Sequence, residues 1–144
     1  MQIPAAAAQR LLEQARVGRL ATLDARGRPT LVPIVYALIG AELWSPIDGK
    51  PKRGSELARV RNIRRDPRVS VLVDAWDEDW QRLWWIQVRG EARVETCNRS
   101  ALDALGAKYP QYATVPLGDG SDRMVAIRID AQTSWCASPD SYRL

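Results

Sequence analysis

The apolar segments of this chain arrive in groups separated by turn residues, and that grouping limits its possible folds more than any other feature. Residues 19–24 form a short apolar strand, and the turn-like run Ala25-Arg26-Gly27-Arg28-Pro29 follows. Residues 30–38 are continuous and β-branched, so they read as a second strand of a hairpin with both faces covered. Pro33 stands in the middle of that strand. It has no N–H to give a ladder, so the strand must be an edge, be bulged, or face something other than a strand there. Gly40-Ala41 turns the chain into a third short strand at 42–45. Residues 68–75 and 83–95 are two more strands around the acidic, aromatic loop WDEDWQR, with a bulge expected at Gly90. Residues 124–129 make a last core strand, and 135–144 carry no pattern that places them. Helices are predicted over 4–17, ended by Gly18, over 55–65, stopped by Asp66-Pro67, and over 98–108. About six strands that cluster rather than alternate with helices argue for a mostly β, antiparallel barrel with satellite helices. No repeat, linker or low-complexity tract interrupts the 144 residues, which predicts one domain.

Composition narrows the chemistry. The chain has no histidine, which excludes Ser–His and Cys–His catalysis. Cys97 and Cys136 lie far apart, outside any CxxC pattern, so a zinc site is not expected. No apolar run reaches the roughly 18 residues of a membrane span. The start, MQIPAAAAQRLLEQAR, is apolar only briefly and lacks a secretory pattern, so a cytoplasmic location is expected. Six tryptophans beside no phenylalanine suit a lined pocket or an interface.

A net charge of +4 and a pI near 9.4 suit an anionic partner. Lys50, Lys52 and Arg53 crowd the loop before the second helix, and Arg59 and Arg61 lie within it. A helix start already favours an anion, and arginine adds a fork for two phosphate oxygens. Charge alone fits either a phosphate or polycarboxylate site or a solvated basic face. A nucleic-acid surface is disfavoured, because the aromatics cluster in the acidic loop, away from the basic run.

Three segments, RLATLDARGRPTLVPIVYAL, KPKRGSELARVRNIRRDPRVSVLVD and DEDWQRLWWIQVRGEARV, follow one another in an order and spacing that resemble the pyridoxamine-phosphate-oxidase-like family of FMN-binding split β-barrels. Within that family the similarity points to the F420-dependent oxidoreductases and covers roughly residues 8–130. The resemblance implies an antiparallel split barrel and a homodimer with its cofactor in a groove between subunits. The flavin or deazaflavin ring would rest along Val32, Pro33, Ile34 and Val35 and beside Trp44 and Ser45. Arg59 would hold the cofactor phosphate, helped by Lys50, Lys52 and Arg53, and Asn62 would support the phosphate loop. Trp80, Arg82 and Trp84 would come from the partner subunit or the substrate side. Where FMN-binding relatives carry a Ser/Thr-Arg-Lys run, this chain has Leu57-Ala58-Arg59, which weakens FMN as the cofactor. The added KPKR loop suits the polyglutamate tail of F420. The function implied is hydride transfer to a small electron-poor or conjugated molecule, with FMN chemistry or cofactor carriage as alternatives. Missing histidine fits such chemistry, because the cofactor supplies the electronic work. A proton would come from solvent or from Tyr36, which reads more naturally as a packed strand residue.

Overall fold

The computed structural model describes residues 1–47, 57–117 and 123–143. Its seven strands are β1 (Gly18–Leu23), β2 (Pro29–Ile34), β3 (Ala37–Ile39), β4 (Glu42–Pro46), β5 (Arg68–Ala75), β6 (Trp84–Thr96) and β7 (Arg123–Cys136). Among the described residues three α-helices accompany them: α1 (Ala5–Gln14), α2 (Ala58–Arg65) and α3 (Arg99–Lys108). All pairings are antiparallel, in the order β2-β1-β5-β6-β7-β4-β3. The two end strands, β2 and β3, are thus neighbours in the chain, joined by Val35 and Tyr36 alone. Three Cα steps reach at most about 11 Å, so the sheet has to curl until its edges nearly meet. No ladder joins them, and the barrel stays split there.

Turn chemistry makes the first hairpin. Gly27 takes φ +74°, and the Asp24 carboxylate accepts the N–H groups of Arg26 and Arg28. In the long β6–β7 ladder, the register slips between Arg89 and Gly90. A Cβ at Gly90 would lie 1.8 Å from the Arg128 carbonyl oxygen, so only glycine admits the expected bulge.

The core fills the inside of the curl. Leu11 and Leu12 of α1, Val60 and Ile63 of α2, and Leu20, Leu43, Val71, Ile86 and Ile127 of the sheet pack together. A second cluster under α3 joins Trp44, Leu105, Tyr109 and Met124.

Three expectations need correction. Residues 30–38 are two strands, not one, because the chain leaves β1 after Ile34 and re-enters the sheet beside β4 at Ala37. Nor are both faces of β2 covered within the chain: burial alternates, and Leu31 is 70 % exposed. The last strand does not end at 129. It runs to Cys136, whose N–H and C=O bond the start of the chain at Met1. The polar run Asp130–Ser134 hides this strand from an apolar pattern, since it lies on the outer part of the ladder beside β6.

Candidate cofactor site in the crease

At the crease between β2 and β3 the chain has no sheet ladder, yet its polar groups are held. The Ser45 hydroxyl donates to the Val35 carbonyl at 2.8 Å. The Tyr36 N–H donates to the Tyr109 hydroxyl at 3.2 Å. Beside this link lies a cavity of about 360 Å³, lined by Val17, Pro33, Ile34, Val35, Ser45, Pro46 and Arg59. Pro33 lies on the edge strand, opposite Arg19, where its missing N–H costs no ladder bond.

Five of the residues expected at a cofactor site therefore meet around one cavity: Pro33, Ile34, Val35, Ser45 and Arg59. Arg59 sits in the first turn of α2, which contains no acidic residue and receives no side-chain cap from Leu57. Arg59 brings a basic residue to that end of the cavity; most of the other lining residues are apolar. Val17 and Pro46 line it as well. They lacked a chemical signature, and only their places beside Gly18 and Ser45 in the sequence link them to the site.

The other expected residues lie elsewhere. Val32 points to the main core, and Trp44 to the second cluster under α3, with the Arg93 guanidinium 5.6 Å from its ring. Successive strand residues face opposite ways, so Trp44 and Ser45 do not share a face. Asn62 is buried and donates to the hydroxyls of Thr22 and Thr30 at 3.0 and 3.2 Å. It fastens α2 to the first hairpin and so fixes where Arg59 stands. Trp84 is half-buried against the main core. Trp80 is 66 % exposed at the β5–β6 turn, its ring centroid 6.5 Å from that of Trp76. Lys50, Lys52 and Arg53 lie outside the described residues.

Tyr36 is fully buried and its hydroxyl donates to the Leu12 carbonyl. Burial, then the nearby Tyr109, pushes its pKa well above the ordinary tyrosine value. It packs and offers no proton to the cavity. A larger hollow of about 480 Å³ opens on the outer sheet face among residues that include Ala21, Pro29, Arg68, Arg89, Glu91 and Asp130. Its charges are mixed, and several are paired: Arg68 with Asp66, and Arg128 with both Glu91 and Asp130. None of the expected site residues that the structure describes lines it.

No helix among the described residues is long and apolar enough to cross a membrane. Solved structures share the fold. A conserved hypothetical protein of Mycobacterium tuberculosis is 28% identical, with 94% of this chain and 86% of that one covered, at a TM-score of 0.70. An F420 reductase is 26% identical, with 86% of this chain and 94% of that one covered, at a TM-score of 0.65. A FAD-binding protein of Mesorhizobium loti, 24% identical with 93% of each chain covered, shares the fold at a TM-score of 0.61. The family described as pyridoxamine 5'-phosphate oxidase matches residues 4–136, and this chain belongs to it.

Proposed function

We propose that this chain is a subunit of a homodimeric, cytoplasmic F420-dependent oxidoreductase that reduces a small electron-poor or conjugated molecule. The observation that carries the reading is the crease cavity, which Pro33, Ile34 and Val35 line together with Arg59 of the first turn of α2, a turn that holds no acidic residue. A flat ring with an anionic arm matches that arrangement: the wall packs against the ring, and the arginine fork takes the phosphate. The similarity to an F420 reductase supports the same choice.

When bound, the deazaflavin supplies the hydride and the electronic stabilisation. This chain's part is to bind and orient. Ser45 fixes the Val35 carbonyl, so the wall keeps one shape. Pro33 has no N–H to present toward the ring, and Ile34 and Val35, packed into the two core clusters, hold the wall firm. Arg59 anchors the anionic end, and the Asn62 links to Thr22 and Thr30 hold the helix that carries it.

Among the described residues the cavity of about 360 Å³ lies near the small end of the roughly 300–1,000 Å³ range of ligand sites, which favours a site completed by further structure. A second copy would complete it. The outer sheet face supports this, since it exposes Leu31, Leu72, Trp85 and Trp135. FMN chemistry on the same fold, and carriage without turnover, are the alternatives. The deciding experiment is titration of the purified protein with F420, with tail-shortened F420 and with FMN. F420 is expected to bind most tightly, with its advantage shrinking as the tail shortens. Tight copurifying FMN would overturn the cofactor choice, and equal affinity for a tail-less deazaflavin would sink the tail argument.

A further inference from the structure

One hydroxyl, contributed from the end of α3, joins both backbone segments that flank the cavity. Tyr109 caps the C-terminus of α3, is nearly fully buried, and reaches the crease from 73 residues away. Its oxygen accepts the Tyr36 N–H at 3.2 Å. Its proton faces two carbonyls, that of Tyr36 at 3.2 Å and that of Arg16 at 3.1 Å. Tyr36 directly follows Val35 and Arg16 directly precedes Val17, and both valines line the cavity. Tyr36 lies in neither flanking ladder, so without this hydroxyl a buried N–H and C=O lose their partner.

The hydroxyl is itself held in place. The Arg16 guanidinium lies 4.5 Å from the Tyr109 ring centroid and donates to the Lys108 carbonyl at 2.7 Å. The Lys108 ammonium sits 3.9 Å from the Tyr36 ring centroid and 5.4 Å from that of Tyr109. Its nitrogen is buried without a hydrogen-bond partner, so the two ring faces are what it meets. The end of α3 thus works as a buckle across the crease.

We propose that Tyr109 is a positioning residue for the cofactor ring: its hydroxyl sets the distance between the Val17 and Val35 sides of the cavity. This rests on the cofactor reading given above. The conservative change Tyr109→Phe keeps the ring and its cationic neighbours and removes only the hydroxyl. Three readouts test it, with cooperative thermal unfolding as the control for folding: hydrogen exchange at the Tyr36 N–H without ligand, affinity for F420 and FMN, and the absorption spectrum of each cofactor bound at saturation. Tyr109→Phe is expected to speed exchange at Tyr36 and to weaken cofactor binding on the order of tenfold, the scale of one lost hydrogen bond. It should also shift the bound spectrum, whereas Arg59→Ala should weaken binding and leave that spectrum in place. Unchanged exchange at Tyr36 would overturn the proposal, and so would faster exchange with affinity and spectrum both intact. If the wild-type protein bound neither cofactor, the cofactor reading would fall by itself. Exchange would then decide the buckle: acceleration at Tyr36 upholds it, and no change removes it.

Discussion

The crease between β2 and β3 and the tip between β5 and β6 solve opposite problems. At the crease the sheet breaks, yet the Val35 carbonyl and both Tyr36 backbone groups find side-chain partners, and Tyr36 is wholly buried. At the tip the sheet is intact, yet Trp76 and Trp80 stand 68% and 66% exposed. The tip's shape comes from short-range contacts: the edge-on ring pair, the Asp79 cap on Gln81 N–H, and an Arg82–Asp77 ion pair at 3.4 Å. The crease is finished within one chain, while the tip leaves two large aromatic faces in water. That difference is what a site shared between copies requires: a rigid wall from one and an adaptable aromatic cover from the other.

The largest effect is expected at the tip. Trp80→Ala should cost about 2 kcal/mol or more in dimer affinity, the usual scale for an aromatic anchor at an interface. It should weaken cofactor binding in parallel if, as proposed, one surface serves both. Sedimentation over a dilution series, with and without F420, measures the two together. A monomer that binds F420 at full strength would separate tip from site.

Next comes the cationic end of the crease. Arg59→Ala should weaken F420 binding by roughly 1.5–3 kcal/mol, as expected for one charge-assisted hydrogen bond. Lys50 and Lys52 changes should each cost less, because a lysine brings a point charge without the two-pronged fork of an arginine. Normal binding by Arg59→Ala, with loss in Lys52→Ala, would move the phosphate to the preceding loop.

The smallest effect concerns the buckle behind the crease. Burial, then Arg16, lowers the Lys108 pKa from 10.5 to about 8, with Glu13 opposing. Below pH 8 the ammonium is charged in folded and unfolded chains alike, and its burial cost is fully present. Between about 8 and 10.5 the unfolded chain holds more of this proton, so the Lys108 contribution to stability rises with pH. Tyr36 acts the other way: above its ordinary value of 10.0 only the unfolded tyrosine ionises, and stability falls. Urea unfolding from pH 7 to 10 should therefore find Lys108→Met more stable than wild type at pH 7. That advantage should shrink as pH climbs. A constant difference would show that the ammonium is solvated rather than trapped between rings.

Much of this architecture was legible because it rests on local chemistry. Pro33 demanded an edge or a break for want of an N–H, and the strand holding it is an edge. Gly90 marked the bulge, since no side chain fits there. The break at Val35-Tyr36 was not legible. Both residues favour strands, and what ends β2 is tertiary: a hydroxyl from Tyr109, 73 positions on. Asn62 shows the same limit, because its buried amide gains its role from Thr22 and Thr30, which the fold brings to it. The resemblance pointed to Arg59 and to Pro33–Val35, and the fold brings these residues to one cavity. Strand parity alone would have kept Ser45 and dropped Trp44, whose ring belongs to the core under α3.

The shared-site account is tested most directly by mixing Arg59→Ala subunits with Trp80→Ala subunits. Each variant alone damages both sites of its own dimer. In a mixed dimer, one site pairs the two damaged parts and the other pairs an intact crease with an intact tip. Random exchange of subunits between symmetric dimers should then restore about one site in four to wild-type F420 affinity. Fluorescence titration of the mixture resolves that tight fraction from the weak remainder. Its appearance is the predicted result. A mixture that titrates as the simple sum of the two variants would contradict a site built across two copies.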